Sequence, residues 1–246
     1  MSHRALRIAA LGMVSCLGQG AAVNAAAMRA GYDGFQATAF ADPGGGGPQL
    51  GAPAPGVGAQ VRGVVRLAAL AAVAVAEVRP LLGDEPLPVL LCLAEPERPG
   101  PLNGPGALKS LTAAITRTCD GLCLDAAHSL IIQGGRCGFV RALRGAETMI
   151  HDEHGLSGED YFFREAALAM TRAFEQTVPD HPLWHPAAHI GEVGAAVGGA
   201  IVVQAHQALV RGYAPGPAAL CHQSDDGPAR AAFLMRYANE ESRDGQ

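Results

Sequence analysis

The stretch Gly191-Glu192-Val193-Gly194-Ala195-Ala196-Val197-Gly198 carries the strongest structural signal in the chain. Three glycines frame an acidic residue, and a largely apolar run follows as far as Val210. This pattern predicts a helix over 194–210, closed by Gly212, with Pro215 beyond it. Glu192 then stands at the N-terminus of that helix. A carboxylate there gains from the helix dipole and from the unpaired amides of the first turn.

Downstream, 218–222 and 230–237 read as a strand pair across Asp225-Asp226-Gly227, a hairpin turn by composition. Immediately upstream lie a helix over 161–177 and a Pro/His-rich connection over 179–189. His181, His185 and His189 recur every four residues and would share a helix face suited to a metal. Pro182 and Pro186 break any such helix, so these are loop histidines and no metal is expected.

The first half alternates in the same way. A short buried strand over 7–12 leads into a turn-rich loop and a helix over 21–30, stopped by Gly31. Residues 43–58 are a Gly/Pro-rich segment expected to be a flexible surface loop. An Ala-rich helix over 64–78 precedes a buried strand over 88–94 and a Pro-rich loop over 95–106. Residues 113–118 read as a strand and 121–132 as a helix ended by Gly134-Gly135, with further strands at 137–143 and 147–150. Buried strands alternating with helices indicate a layered α/β fold, with 8–11 and 89–93 as neighbouring central strands. Residues 1–150 form one half and 151–246 a shortened second half of one compact unit.

With 246 residues, 49% of them hydrophobic, the chain can bury a sizeable core. The formal net charge is −5 and Lys109 is the single lysine, which disfavours nucleic acid as a partner. Trp184 is the only tryptophan, so an aromatic-lined groove for bases is not expected. The six cysteines mostly sit in apolar runs and read as buried thiols. The opening shows no signal-peptide pattern, and the most apolar stretch, 64–78, is too short and interrupted to span a bilayer. A cytoplasmic, reduced chain with no membrane contact is the expectation.

Three motifs resemble the β-ketoacyl synthases of the thiolase-like superfamily. The segment 8–18, Ile-Ala-Ala-Leu-Gly-Met-Val-Ser-Cys-Leu-Gly, followed by a helix and Arg29-Ala30-Gly31, looks like the family's opening strand, loop and helix. Residues 126–147, from Ala-Ala-His-Ser-Leu to Arg-Gly-Ala-Glu, are similar to the helix after the nucleophile and a strand ending in Gly-Gly-Ala-Glu. The segment 191–198 resembles the family's Gly-His-Thr-Gly-Ala-Ala-Ser-Gly. The resemblance implies a layered α/β/α/β/α thiolase-like fold with a compressed second half, and a dimer, homo- or heterodimeric.

It also implies that the condensing chemistry is lost. Such synthases use a cysteine at a helix start, where the dipole lowers the thiol pKa, and two histidines or a histidine and an asparagine. Here Glu192 stands at the histidine position and Ala187 at that of the supporting lysine. A carboxylate accepts hydrogen bonds and cannot donate one to a developing enolate oxygen. No histidine is followed by Gly-Thr, so the second histidine motif is missing. The nucleophile position falls on Thr116 or on Cys119, depending on which residues are matched. Cys119 reads either as a surviving thiol at a helix start or as a structural cysteine.

The expected function is a non-catalytic scaffold, without cofactor or metal, that binds a protein partner. In length, opening and the Glu at the histidine position, the chain resembles small synthase-like accessory proteins encoded with type VI secretion effectors. A chain-length-factor-like, non-condensing subunit that pairs with an active synthase subunit is the rival. A weak acyl-thioester transferase using Cys119 is a third reading.

Overall fold

The computed structural model describes residues 6–41, 44–58, 60–83, 86–102, 104–119, 122, 125, 129–148, 183–227 and 229–237. The expected helix over 161–177 lies outside the described residues, as do 149–160 and 178–182.

Helices and strands are mixed, as an α/β class requires. The chain makes a tight ribbon of β1 (Val14–Ser15) and β2 (Gly18–Gln19), then α1 (Ala21–Arg29). Next come the antiparallel β3 (Gln36–Ala41) and β4 (Pro48–Gly51), then α2 (Gly63–Val78). Strand β5 (Leu90–Leu93), helix α3 (Ala107–Thr118) and strand β6 (Leu130–Gln133) follow, with β5 and β6 paired in parallel. Helix α4 (Gly138–Thr148), the short α5 (Ala187–Ile190) and α6 (Val197–Val210) lead to the hairpin of β7 (Ala218–Ser224) and β8 (Arg230–Arg236).

Two cores hold these elements. In one, Met13, Ala21, Ala25 and Ile190 pack on Ala200 and Val203, joining α1, α5 and α6. In the other, Ala68 of α2 and Leu93 of β5 meet Leu111, Ala114, Ile115 and Cys119. Small residues allow these approaches. A Cβ on Gly12 would lie 2.0 Å from the Ala74 carbonyl oxygen, and one on Gly198 would lie 2.3 Å from the Phe139 Cβ. The β7–β8 hairpin turns Phe233 towards Phe139 of α4, with ring centroids 6.1 Å apart.

Polar contacts pin the loops. Gly20, which precedes α1, has no side chain to cap the helix. Glu77 of α2 does so instead, accepting from the Ala21 N–H at 2.8 and 2.9 Å and from the Met13 N–H at 3.0 Å. Asn24, fully buried, donates to the carbonyls of Gly18 and Gly20 at 3.1 and 2.8 Å and accepts from the Ser15 hydroxyl.

Several expectations change. Residues 7–12 form no strand, and the parallel neighbour of β5 is β6, not 8–11. The helix read over 121–132 gives way at its end to β6, whose Leu-Ile-Ile core favours a pleated surface. The strands read at 113–118 and 137–143 are helical, in α3 and α4, and α4 also takes up 147–148. In α3 the buried Leu111, Ala114 and Ile115 recur at helical spacing, and their packing on α2 and β5 decides the outcome. Within the loop read over 43–58, residues 48–51 are β4, paired with β3. The strand pair at 218–222 and 230–237, the helices over 21–30, 64–78 and 194–210, and the loop over 95–106 agree with the reading within a few residues.

Candidate functional site

The polar centre of the fold is assembled at the turn that follows β6. Gly135 has φ 50°, and a Cβ there would sit 1.8 Å from the Glu95 Oε1. Glycine is therefore demanded by both backbone and space. This turn carries the Arg136 side chain inward to 1% exposure. A buried guanidinium is costly unless paired. Its Nη1 donates to the Asp226 Oδ1 at 2.5 Å, and its Nε lies 3.2 Å from the Glu192 Oε1. Burial alone would lower its pKa. The hydrogen bond to Asp226 and the charge of Glu192 outweigh burial and hold the group firmly protonated.

Glu192 has a second task. It accepts from the Gly194 N–H at 2.9 Å, closing the 3-10 turn Gly194–Ala196 that runs into α6. The carboxylate expected at this helix start is thus bound to both an amide and an arginine.

On the other side of the turn, one carboxylate oxygen from each of Glu95, Asp225 and Asp226 lies within 4.8 Å of the others. Both Glu95 oxygens are buried. Asp225 is 8% exposed and accepts from the Asp226 N–H at 3.1 Å. Burial first, then the facing Glu95, pushes the Asp225 carboxyl up to about 6. Glu95 is held below its ordinary range: burial opposes this, but a hydrogen bond from Asp225 and the Arg98 charge prevail. Arg136 and Arg98 already bring positive charge to these carboxylates, and no residue is assigned to a metal or cofactor. Behind the cluster, the Gln223 amide and the Ser224 hydroxyl are fully buried without a hydrogen-bond partner among the described residues.

The four positions singled out from the sequence fall in different places. Glu192 belongs to the Arg136 cluster, and Ala187 opens α5. Thr116 is exposed on α3 and donates back to the Thr112 carbonyl at 3.0 Å. Cys119 follows the last residue of α3, where its N–H donates to the Ile115 carbonyl at 2.8 Å. It is thus at a helix end, not at the helix start that would activate a thiol. Burial pushes the Cys119 thiol up. The residue is 2% exposed and lines an open groove of ≈ 560 Å³ with Val75, Arg79, Leu82 and Thr118. Cys119 packs in the core between α2 and α3, so the structure does not join it with Glu192 in one packed cluster.

Sequence reasoning missed Arg136, Glu95 and the pairing roles of Asp225 and Asp226. The available signal was Gly134-Gly135-Arg136, an arginine set directly after two glycines at the end of an aliphatic run. No helix of the described residues is long and apolar enough to cross a membrane. In comparisons with known proteins, the chain matches no family model, no curated protein and no solved structure.

Proposed function

We propose that this chain is a non-catalytic scaffold of thiolase-like ancestry that binds a protein partner, with handling of a type VI secretion effector as its role. The observation that carries the reading is the occupation of Glu192. At the position where the resemblance calls for a catalytic histidine, its carboxylate holds the Gly194 amide and the buried Arg136. A side chain engaged in this way serves as a structural fixture of the helix start. The Cys119 thiol, raised by burial at a helix end, supports the same reading and weighs against the acyl-transferase alternative.

Two assays test the proposal. Purified protein given acyl and malonyl thioesters should release no carbon dioxide above a protein-free control. Co-expression with an effector encoded beside it should give a complex that survives gel filtration. A complex formed instead with a synthase subunit would replace this role by the chain-length-factor one. Turnover that disappears in Cys119→Ala would overturn the scaffold reading altogether.

A further inference from the structure

Three separated segments meet around two carboxyl groups that have almost nothing else to bind. Glu95 comes from the loop after β5, and Asp225 from the turn between β7 and β8. The glycine turn at 134–135 is pressed against the Glu95 carboxylate so closely that no side chain fits between them. Both Glu95 oxygens are buried, with the Asp225 carboxyl among the groups facing them. Two buried carboxylates this close repel unless one carries a proton, in which case they share a short, strong hydrogen bond.

We infer that Glu95 and Asp225 form a proton-operated latch, which closes the β7–β8 turn onto the loop after β5 when they share one proton and loosens it when that proton leaves. Burial and the facing carboxylate favour a proton at this place, and the nearby arginine charges oppose it. Arg98 lies 4.0 Å from the Glu95 Oε2 on the same loop. Arg136 is taken up by Asp226 and Glu192. Arg230 of β8 donates to main-chain carbonyls of Asp225, Gly227 and Ala229. Arg141 of α4 lies beside Gly134, and the Cys137 thiol, pushed up to about 12 chiefly by burial, stays neutral. These contacts hold the turn in place around the carboxyl pair.

The direction follows from linkage. An acid whose pKa is raised on folding stabilises the folded state fully below its unfolded value, and this contribution is lost as pH rises through the folded value. For Asp225 the window runs from its ordinary 3.8 up to about 6. The buried imidazoles of His185, His206 and His222, lowered by burial, act in the opposite sense: their contribution is present above 6.5 and lost as pH falls. The latch is therefore read as a difference between proteins, not from the wild type alone.

The experiment is denaturant unfolding of the full chain between pH 4 and 8, for wild type, Asp225→Asn and Glu95→Gln. In each variant an amide replaces one carboxyl and can donate to the other at any pH. Relative to both variants, wild type should lose up to about 30-fold in its folding equilibrium constant between pH 4 and 6. Hydrogen exchange of amides in 223–230, corrected for intrinsic rate, should be faster at pH 7.5 than at pH 5 in wild type and unchanged in Asp225→Asn. Parallel pH profiles for wild type and both variants would overturn the inference, as would pH-independent protection of 223–230 in wild type.

Discussion

Replacing Arg136 by methionine tests whether the polar centre holds the fold together. The side chain is 1% exposed and carries a charge that Asp226 and Glu192 compensate. Breaking a fully buried pair costs about 3–5 kcal/mol, because a charge is stranded in a low dielectric. Here the stranded charges would be Asp226 and Glu192, which are 58% and 27% exposed, so water recovers part of that loss. Methionine fills most of the vacated volume with adaptable apolar atoms and limits the cavity. The net expectation is a loss of about 2–3 kcal/mol. For a chain of this length, that corresponds to a fall of roughly 5–10 °C in Tm. Urea and thermal unfolding at pH 7 would measure it. A Tm within a degree of wild type would refute the reasoning, because it would show that Arg136 is held no better in the folded chain than in water.

Three further outcomes are expected. Glu192→Gln keeps an oxygen acceptor for the Gly194 amide and loses only a partly exposed charge, so it should cost about 1 kcal/mol or less in urea unfolding, and it should create no condensing activity. Asn24→Ala removes the bonds to two carbonyls and strands the Ser15 hydroxyl, so it should cost about 2–3 kcal/mol, against a near-neutral change for exposed Val23→Ala by the same assay. Cys119, buried and raised in pKa, should react with a maleimide at pH 7 only in step with unfolding, and rapid labelling of the native protein at that residue would contradict its place in the core.

The sequence discloses most clearly the elements whose pattern repeats within themselves. Helices α1, α2 and α6 read correctly because alanine-rich runs end at Gly31, Arg79-Pro80 and Gly212. Helix α4 reads as a strand because Cys137-Gly138-Phe139-Val140 has strand-like composition, while the burial of Cys137 and Val140, three residues apart, belongs to a helix face. Strand β6 is masked by the helix-like residues before it. At the site, Glu192 is legible because its helix start is local. The meeting of Glu95, Arg136 and Asp225 joins positions 41 and 89 residues apart, and no local period encodes such pairing. The glycine at 135 was the one visible trace, since a residue without a side chain is needed wherever a carboxylate presses on the backbone.

The cap that Glu77 supplies to α1 bears on the order of events as the chain folds. Ala21 and Glu77 are 56 residues apart, and α1 itself has nine residues. A helix that short gains too little from its own hydrogen bonds to persist alone in water. Its first turn is completed only when α2 arrives alongside, so α1 acquires its structure as part of a docking event. During synthesis, at roughly 5–20 residues per second, several seconds pass between the emergence of α1 and that of the residue that closes it. The apolar face of α1 waits longer still, because Ala21 and Ala25 pack on Ile190, Ala200 and Val203 of α5 and α6. Slowing translation at any point between α1 and α6 should therefore lengthen the period of vulnerability to proteases.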